Sequence, residues 1–186
     1  VLVQSIQRVL EKRDLKAQNH QYRLELERAN TELKANLRIL ERDQIAGRRV
    51  QRRLMPSGVT TPQGYHAAHT IIPSLFLSGD FVDYAHINQR YLAFYLADVS
   101  GHGASSAFIT IWLKHLVSRM VREQGLFGSE QSFDEGTNMM LSHINKELLE
   151  TKLSHHMTLF LGVIDTMRGV MRYVVAGHLP LPILIT

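Results

Sequence analysis

The chain has no cysteine among its 186 residues. No disulfide therefore supports the fold, and no thiolate serves as nucleophile or soft metal ligand. Proline is scarce, five in all, and the first is Pro56. No run of about 18 apolar residues occurs, so no stretch reads as a membrane-spanning helix. The amino end is charged helical sequence without the apolar centre of a signal peptide. A cysteine-free chain of this kind fits the cytoplasm, the expected compartment. It starts on Val1 and not on Met, which we read as the expectation of a fragment.

What is present is unevenly distributed. Residues 1–55 hold 13 Lys/Arg against 7 Asp/Glu, a net charge of +6, while residues 56–186 hold 8 against 10, net −2. The length allows one domain of ordinary size plus an appendage. We place the boundary there: a coiled-coil or linker helix over 1–55 and a folded domain over 56–186.

The first segment has no proline before Pro56, a single glycine at Gly47, and a predominance of Leu, Arg, Glu, Gln and Ala, all good helix formers. Val3, Leu10, Ala17 and Leu24 recur at sevens, with Ile6 between them. Leu26, Leu33, Leu40 and Leu54 form a second sevenfold series, with Leu37 in the alternate slot. The two series differ in register, so the seam shifts near Leu24–Leu26. Sustained apolar heptads predict a coiled coil. Asn30 falls on an a-type position of the second series, where a buried amide sets register and strand number. At 1.5 Å per residue the helix would reach roughly 80 Å. A lone helix of that length has no core of its own, so the expectation is a parallel homodimer; the plainer alternative folds it back on the following domain. Arg48, Arg49, Arg52 and Arg53 raise the question of a DNA-binding zipper. In such proteins the basic region precedes the zipper, and here it follows, so no nucleic-acid partner is expected.

The densest chemistry lies further on. Tyr91–Ala97 is an apolar run that ends on Asp98, opening Asp98-Val99-Ser100-Gly101-His102-Gly103. Ser78-Gly79-Asp80-Phe81-Val82-Asp83 comes earlier. Between them the pattern reads strand, turn at Asn88-Gln89-Arg90, strand. Such a hairpin brings the start of one strand beside the end of the next, so Asp80 and Asp98 should face each other. Facing carboxylates repel unless a cation lies between them. Oxygen-only ligands suit Mg²⁺ or Mn²⁺. Taken as isolated residues, the two also admit a plainer reading as loop aspartates, one capping the next helix.

Ala176-Gly177-His178-x-Pro180 completes a set of three ordered motifs. Together they resemble the PPM (PP2C-like) serine/threonine phosphatases, in the SpoIIE/RsbU branch attached to bacterial response regulators. The resemblance covers about residues 54 to 186. It implies an α+β fold: a PP2C-like β-sandwich flanked by helices, here preceded by the long coiled-coil helix. It implies hydrolysis of phosphoserine or phosphothreonine by water activated on two Mn²⁺ or Mg²⁺ ions. Asp80 and Asp98 would be the catalytic metal ligands, Asp98 bridging, with the Val99 carbonyl completing one shell. Gly101 and His102 would stand beside the substrate, although the His of some PPM enzymes lies two residues nearer the Asp. Arg52, Arg53 and Leu54, with Met55-Pro56, match the segment through which an upstream sensor acts on the core, and Gly47 is a candidate hinge in that helix. His178 is expected to hold its turn and not to catalyse.

The branch further implies a place in a partner-switching stress or signalling pathway. The substrate would be a phosphorylated anti-anti-sigma factor, and the input an N-terminal receiver or sensor domain. The family also places acidic metal ligands after the Ala-Gly-His-x-Pro segment, beyond Thr186, so the domain is expected to be incomplete and this fragment to be inactive. The alternative is a non-catalytic adaptor or dimerising module that binds a sigma factor or its antagonist. A zinc site is not expected, because His66/His69 and His155-His156 have no matching second pair and no cysteine.

Coarse elements complete the reading. Residues 57–64 read as a linker and Tyr65–Ile72 as a first strand. Helices are expected over Ala104–Arg122 and Phe133–Leu153. Thr158–Asp165 and Val170–Val175 form a hairpin, and Leu181–Thr186 reads as a last strand.

Overall fold

The computed structural model describes residues 2–72, 76–152 and 154–185. The chain divides into two compact units, Val1–Asp43 and Gln44–Thr186. Helix α1 spans Leu2–Leu54. In the first unit its described side chains are exposed, Leu24, Leu26, Leu33, Leu37 and Leu40 among them. The second unit starts inside the same helix. There Gln51 is buried and Arg52 and Arg53 lie in the last turn, where cations complement the carbonyl end of the helix. The helix runs unbroken through Gly47, and the missing side chain leaves room for Leu77, whose nearest methyl would lie 3.3 Å from a Cβ at that position.

The domain is built on a four-stranded antiparallel sheet, β3 (Asp80–Ile87), β4 (Tyr91–Val99), β5 (Met157–Asp165) and β6 (Val170–Ala176), in that spatial order. Period-two alternation sorts its side chains. Phe81, Tyr91, Tyr95, Ala97, Leu159, Leu161 and Val163 form one face and share a core with α2 (Ala104–Arg122) and α3 (Glu130–Glu150). Leu113, Leu116 and Met120 of α2 and Phe133, Met140 and Ile144 of α3 supply the helical side of that core. On the opposite face, Val82, Tyr84 and Leu92 pack with Val59, Tyr65, Ala67 and Ile71. That covering layer includes the small ladder of β1 (Val59–Thr60) and β2 (His66–Ala67).

The hairpins follow the expected turns. Asn88 and Gln89 take left-handed φ values of 50° and 54°, and Arg90 N–H donates to Ile87 O at 3.1 Å. The same Arg90 fastens the two hairpins together. Its guanidinium donates twice to Asp165 Oδ2, at 2.7 and 3.1 Å, and once to Glu130 at 3.0 Å. The Asp165 side chain is fully buried, and its other oxygen accepts from Met167 N and Arg168 N. Arg90 first, and then those two amides, hold its carboxyl below the ordinary carboxylate range against the opposing effect of burial.

Three local expectations are corrected. α3 begins at Glu130, three residues before Phe133, because Ser129 and Ser132 cap it reciprocally: each side chain accepts from the other's backbone N–H. Part of the presumed linker 57–64 is strand β1, and its partner β2 is only two residues long, since a ladder ends where its partner ends. Residues 181–185 form no strand. Pro180 and Pro182 lack the N–H groups a ladder needs, and Leu181, Ile183, Leu184 and Ile185 are exposed. Leu153 and Thr186, the ends of two expected elements, lie outside the described residues.

Candidate functional site

Asp80 and Asp98 are directly opposed across β3 and β4. The next pair along is Gly79 and Val99, where Val99 N donates to Gly79 O at 3.1 Å. Antiparallel pairs alternate, so Asp80 and Asp98 form the non-hydrogen-bonded kind, whose Cα atoms stand about 4.5 Å apart and whose side chains approach most closely. Both are exposed at the sheet end, on the face of Val82 and Leu96. Like charges so placed destabilise a ladder. Among the described residues neither aspartate forms an ion pair with Lys or Arg; Asp80 accepts only from Ser78 Oγ, at 3.4 Å.

The local backbone explains why the carboxylates sit here. Ser78 Oγ accepts from Asp80 N at 3.0 Å, a tight loop-to-strand turn. Gly79 lies against the Val99 carbonyl, and a Cβ there would stand 2.3 Å from that oxygen. No other residue type permits this approach. After Val99 the chain leaves the sheet through Gly101 and Gly103, with φ of 91° and 86°, and enters α2. Ser100 ties this turn to the start of β5, donating N–H to His156 O while its Oγ accepts from His156 N, both at 2.8 Å.

A cleft of about 320 Å³ opens on the pair. Asp80, Asp98, His69, Thr70 and His178 are among its walls. Continuing the register across the sheet, Asp98 pairs with Thr158 on β5, and Thr158 Oγ1 is hydrogen-bonded to His178 Nδ1 at 2.9 Å. A polar row thus runs Asp80, Asp98, Thr158, His178. Neither Thr158 nor a place for His178 in this cleft was legible from motif spacing, because only the strand register brings β5 beside Asp98.

Asp83, the second acid of the Ser-Gly-Asp-Phe-x-Asp motif, is on the helix-covered face and pairs with Lys114 of α2 at 2.8 Å. Val99 is buried, with its carbonyl against Gly79. Gly101 and His102 are exposed in the turn, and neither is among the residues lining the cleft.

The donor set suits a hard divalent cation: two facing carboxylates without a cationic partner at the open end of a sheet. Among the described residues no group of three or more His, Cys, Asp and Glu side chains comes together, so the pair supplies part of a shell and not all of it.

The antiparallel sheet with a helix pair on one face matches the fold of a solved PP2C domain. A solved structure titled "SiaA-PP2C domain of Pseudomonas aeruginosa" matches with a TM-score of 0.54 at 15% identity, over 75% of this chain and 54% of that one. The chain thus spans about half the length of that solved domain. No curated protein sequence matches. The family described as Stage II sporulation protein E (SpoIIE) matches residues 88–186, more than half of the chain and including Asp98. The chain belongs to the SpoIIE family. Among the described residues no helix is long and apolar enough to cross a membrane.

Proposed function

We propose that this chain is part of a divalent-metal-dependent protein serine/threonine phosphatase, preceded by a dimerising regulatory helix. The observation that carries the reading is the facing pair Asp80 and Asp98, left without a cationic partner at the mouth of a cleft. Asp80 and Asp98 would hold Mn²⁺ or Mg²⁺, with the Val99 carbonyl as a further oxygen donor. When bound, such ions lower the pKa of water and neutralise charge on a phosphoryl group. The chain's own part is positional. The Ser78 turn fixes Asp80, the ladder fixes Asp98, and the Thr158–His178 pair presents a polar wall to whatever enters. The phosphoseryl side chain of a phosphorylated anti-anti-sigma factor is the proposed substrate, in a partner-switching pathway with a receiver or sensor domain as input.

The dimer rests on a separate feature. Leu26, Leu33, Leu37 and Leu40 are exposed on one chain, with Asn30 among them. A parallel partner would bury this seam.

The experiment is hydrolysis of a phosphoserine peptide by the full-length protein. Turnover is expected with Mn²⁺ or Mg²⁺, none in EDTA, and loss of about a hundredfold or more in Asp98→Asn, within the range one metal-held electrostatic contribution supplies. A parallel thermal scan reads metal binding directly: Mn²⁺ should raise the melting temperature of the native chain and not of Asp98→Asn. Turnover in EDTA would overturn the metal mechanism. Metal binding without turnover in the full-length protein would favour the adaptor.

A further inference from the structure

We propose that a second cavity, between the end of α1 and His69, Thr70, Ile71, Phe76 and Ser78, binds an oxyanion of the phosphate class. The cavity measures about 390 Å³ and is lined by Arg48, Gln51, Arg52, His69, Thr70 and Ser78 among others, with no Asp or Glu among the described residues. Arg48 and Arg52 are four residues apart and share one side of the helix. Neither forms an ion pair or a side-chain hydrogen bond among the described residues. The Arg48 Nε is buried without an acceptor. A buried guanidinium N–H without an acceptor is costly, and an entering oxyanion supplies the missing one.

Gln51 is engaged with Ser78 and Thr110, so it contributes no free donor. Part of the Arg52 charge offsets the carbonyl end of α1. Arg48 sits more than a turn earlier, where the helix carbonyls are already bonded, so its fork is left for a ligand. A planar fork with several N–H groups matches tetrahedral phosphate and planar carboxylate oxygens, two at a time. His69 Nδ1 is held by the Tyr84 hydroxyl at 3.2 Å, which fixes the ring at the cavity wall.

Position gives the site its meaning. His69, Thr70 and Ile71 line both this cavity and the Asp80/Asp98 cleft. An oxyanion held by Arg48 therefore lies next to the acidic pair but not on it. Binding here stands whether or not the aspartates hold metal. Its use by a phosphorylated substrate, or by released phosphate, rests on the phosphatase reading.

The test is calorimetric titration of inorganic phosphate into the full-length protein in EDTA. Saturable binding is expected, weakened about tenfold or more in Arg48→Gln, the size of one lost charge-assisted contact, and weakened less in Arg52→Gln. Arg49→Gln, an exposed arginine outside the cavity, should bind as the native chain does. N-acetyl-phosphoserine amide competing for the same heat identifies a phosphomonoester as occupant; phosphate binding without competition identifies the free anion. Arg48→Lys keeps the charge without the fork and should fall between, which guards against an unfolded Gln variant. No saturable binding, binding that requires Mn²⁺, or equal weakening in Arg49→Gln would each overturn the site.

Discussion

Gln51 holds Ser78 by both main-chain groups: its Nε2 donates to Ser78 O at 2.7 Å and its Oε1 accepts from Ser78 N at 3.2 Å. The same Nε2 reaches Thr110 Oγ1 on α2 at 3.1 Å. All three residues are buried. One amide therefore joins the end of α1, the entry to β3 and the centre of α2. Ser78 in turn holds Asp80, so the placement of α1 sets the placement of a candidate metal ligand.

Gln51→Leu leaves both Ser78 groups without partners in a buried place. The expected cost is about 2 kcal/mol, measured as a lower midpoint in urea. Because Asp80 loses its anchor, the Mn²⁺ concentration giving half the thermal stabilisation should also rise. A variant with lowered stability but unchanged Mn²⁺ response would make Gln51 a structural link only.

Gly79→Ala places a methyl where the Val99 carbonyl already sits, and a backbone oxygen has no rotamer by which to yield. The start of β3 must move off the end of β4, separating Asp80 from Asp98. Destabilisation of about 3 kcal/mol is expected from overpacking. Metal-induced stabilisation should vanish, even where circular dichroism shows the sheet intact. Normal Mn²⁺ binding by a folded Gly79→Ala protein would show that the acidic pair tolerates displacement.

Asp165 sets an acid limit. Its pKa is lowered in the folded state by Arg90, so ionisation contributes stability that is present above the unfolded carboxylate pKa and is lost as pH falls through the lower folded value. The loss therefore begins below about pH 4. Thermal melts from pH 6 to pH 2.5 should show that decline in the native chain. Asp165→Asn should be less stable at pH 6, by about 3 kcal/mol for a broken buried pair, and should decline less steeply below pH 4. A parallel acid profile in the two proteins would remove Asp165 as a determinant.

The exposed leucines of α1 predict an oligomer. Residues 1–54 should sediment as a dimer at tens of micromolar, and replacing Leu33, Leu37 and Leu40 with Gln should leave monomers, because no apolar burial then offsets the entropy of pairing. A native segment that sediments as a monomer would refute the coil.

The helix α1, the bounds of α2 and the two hairpins could be read directly, because local rules decide them: helix-forming composition, period-two apolar runs, and turns that admit positive φ at Asn88, Gln89 and Gly169. The opposition of Asp80 and Asp98 followed as well, since a three-residue turn of known place leaves one register. The start of α3 was missed because Ser129-x-x-Ser132 lacks the Glu or Gln of the usual capping box. Leu181–Ile185 was misread because apolar composition says nothing about whether a partner strand exists.

Sequence by itself determined that two carboxylates, Asp80 and Asp98, meet at a strand end. Tertiary structure alone decided what surrounds them. The β4–β5 register put Thr158 beside Asp98, and Thr158 in turn holds His178 at the cleft. Side-chain alternation sent Asp83 through the sheet to Lys114, although it stands only three residues from Asp80. Packing of α1 against the β3 entry made Gln51 a clamp and left Arg48 lining a cavity. Contacts between residues as far apart as 51 and 110 obey no local spacing rule, because burial and partner availability fix them only after the elements have assembled.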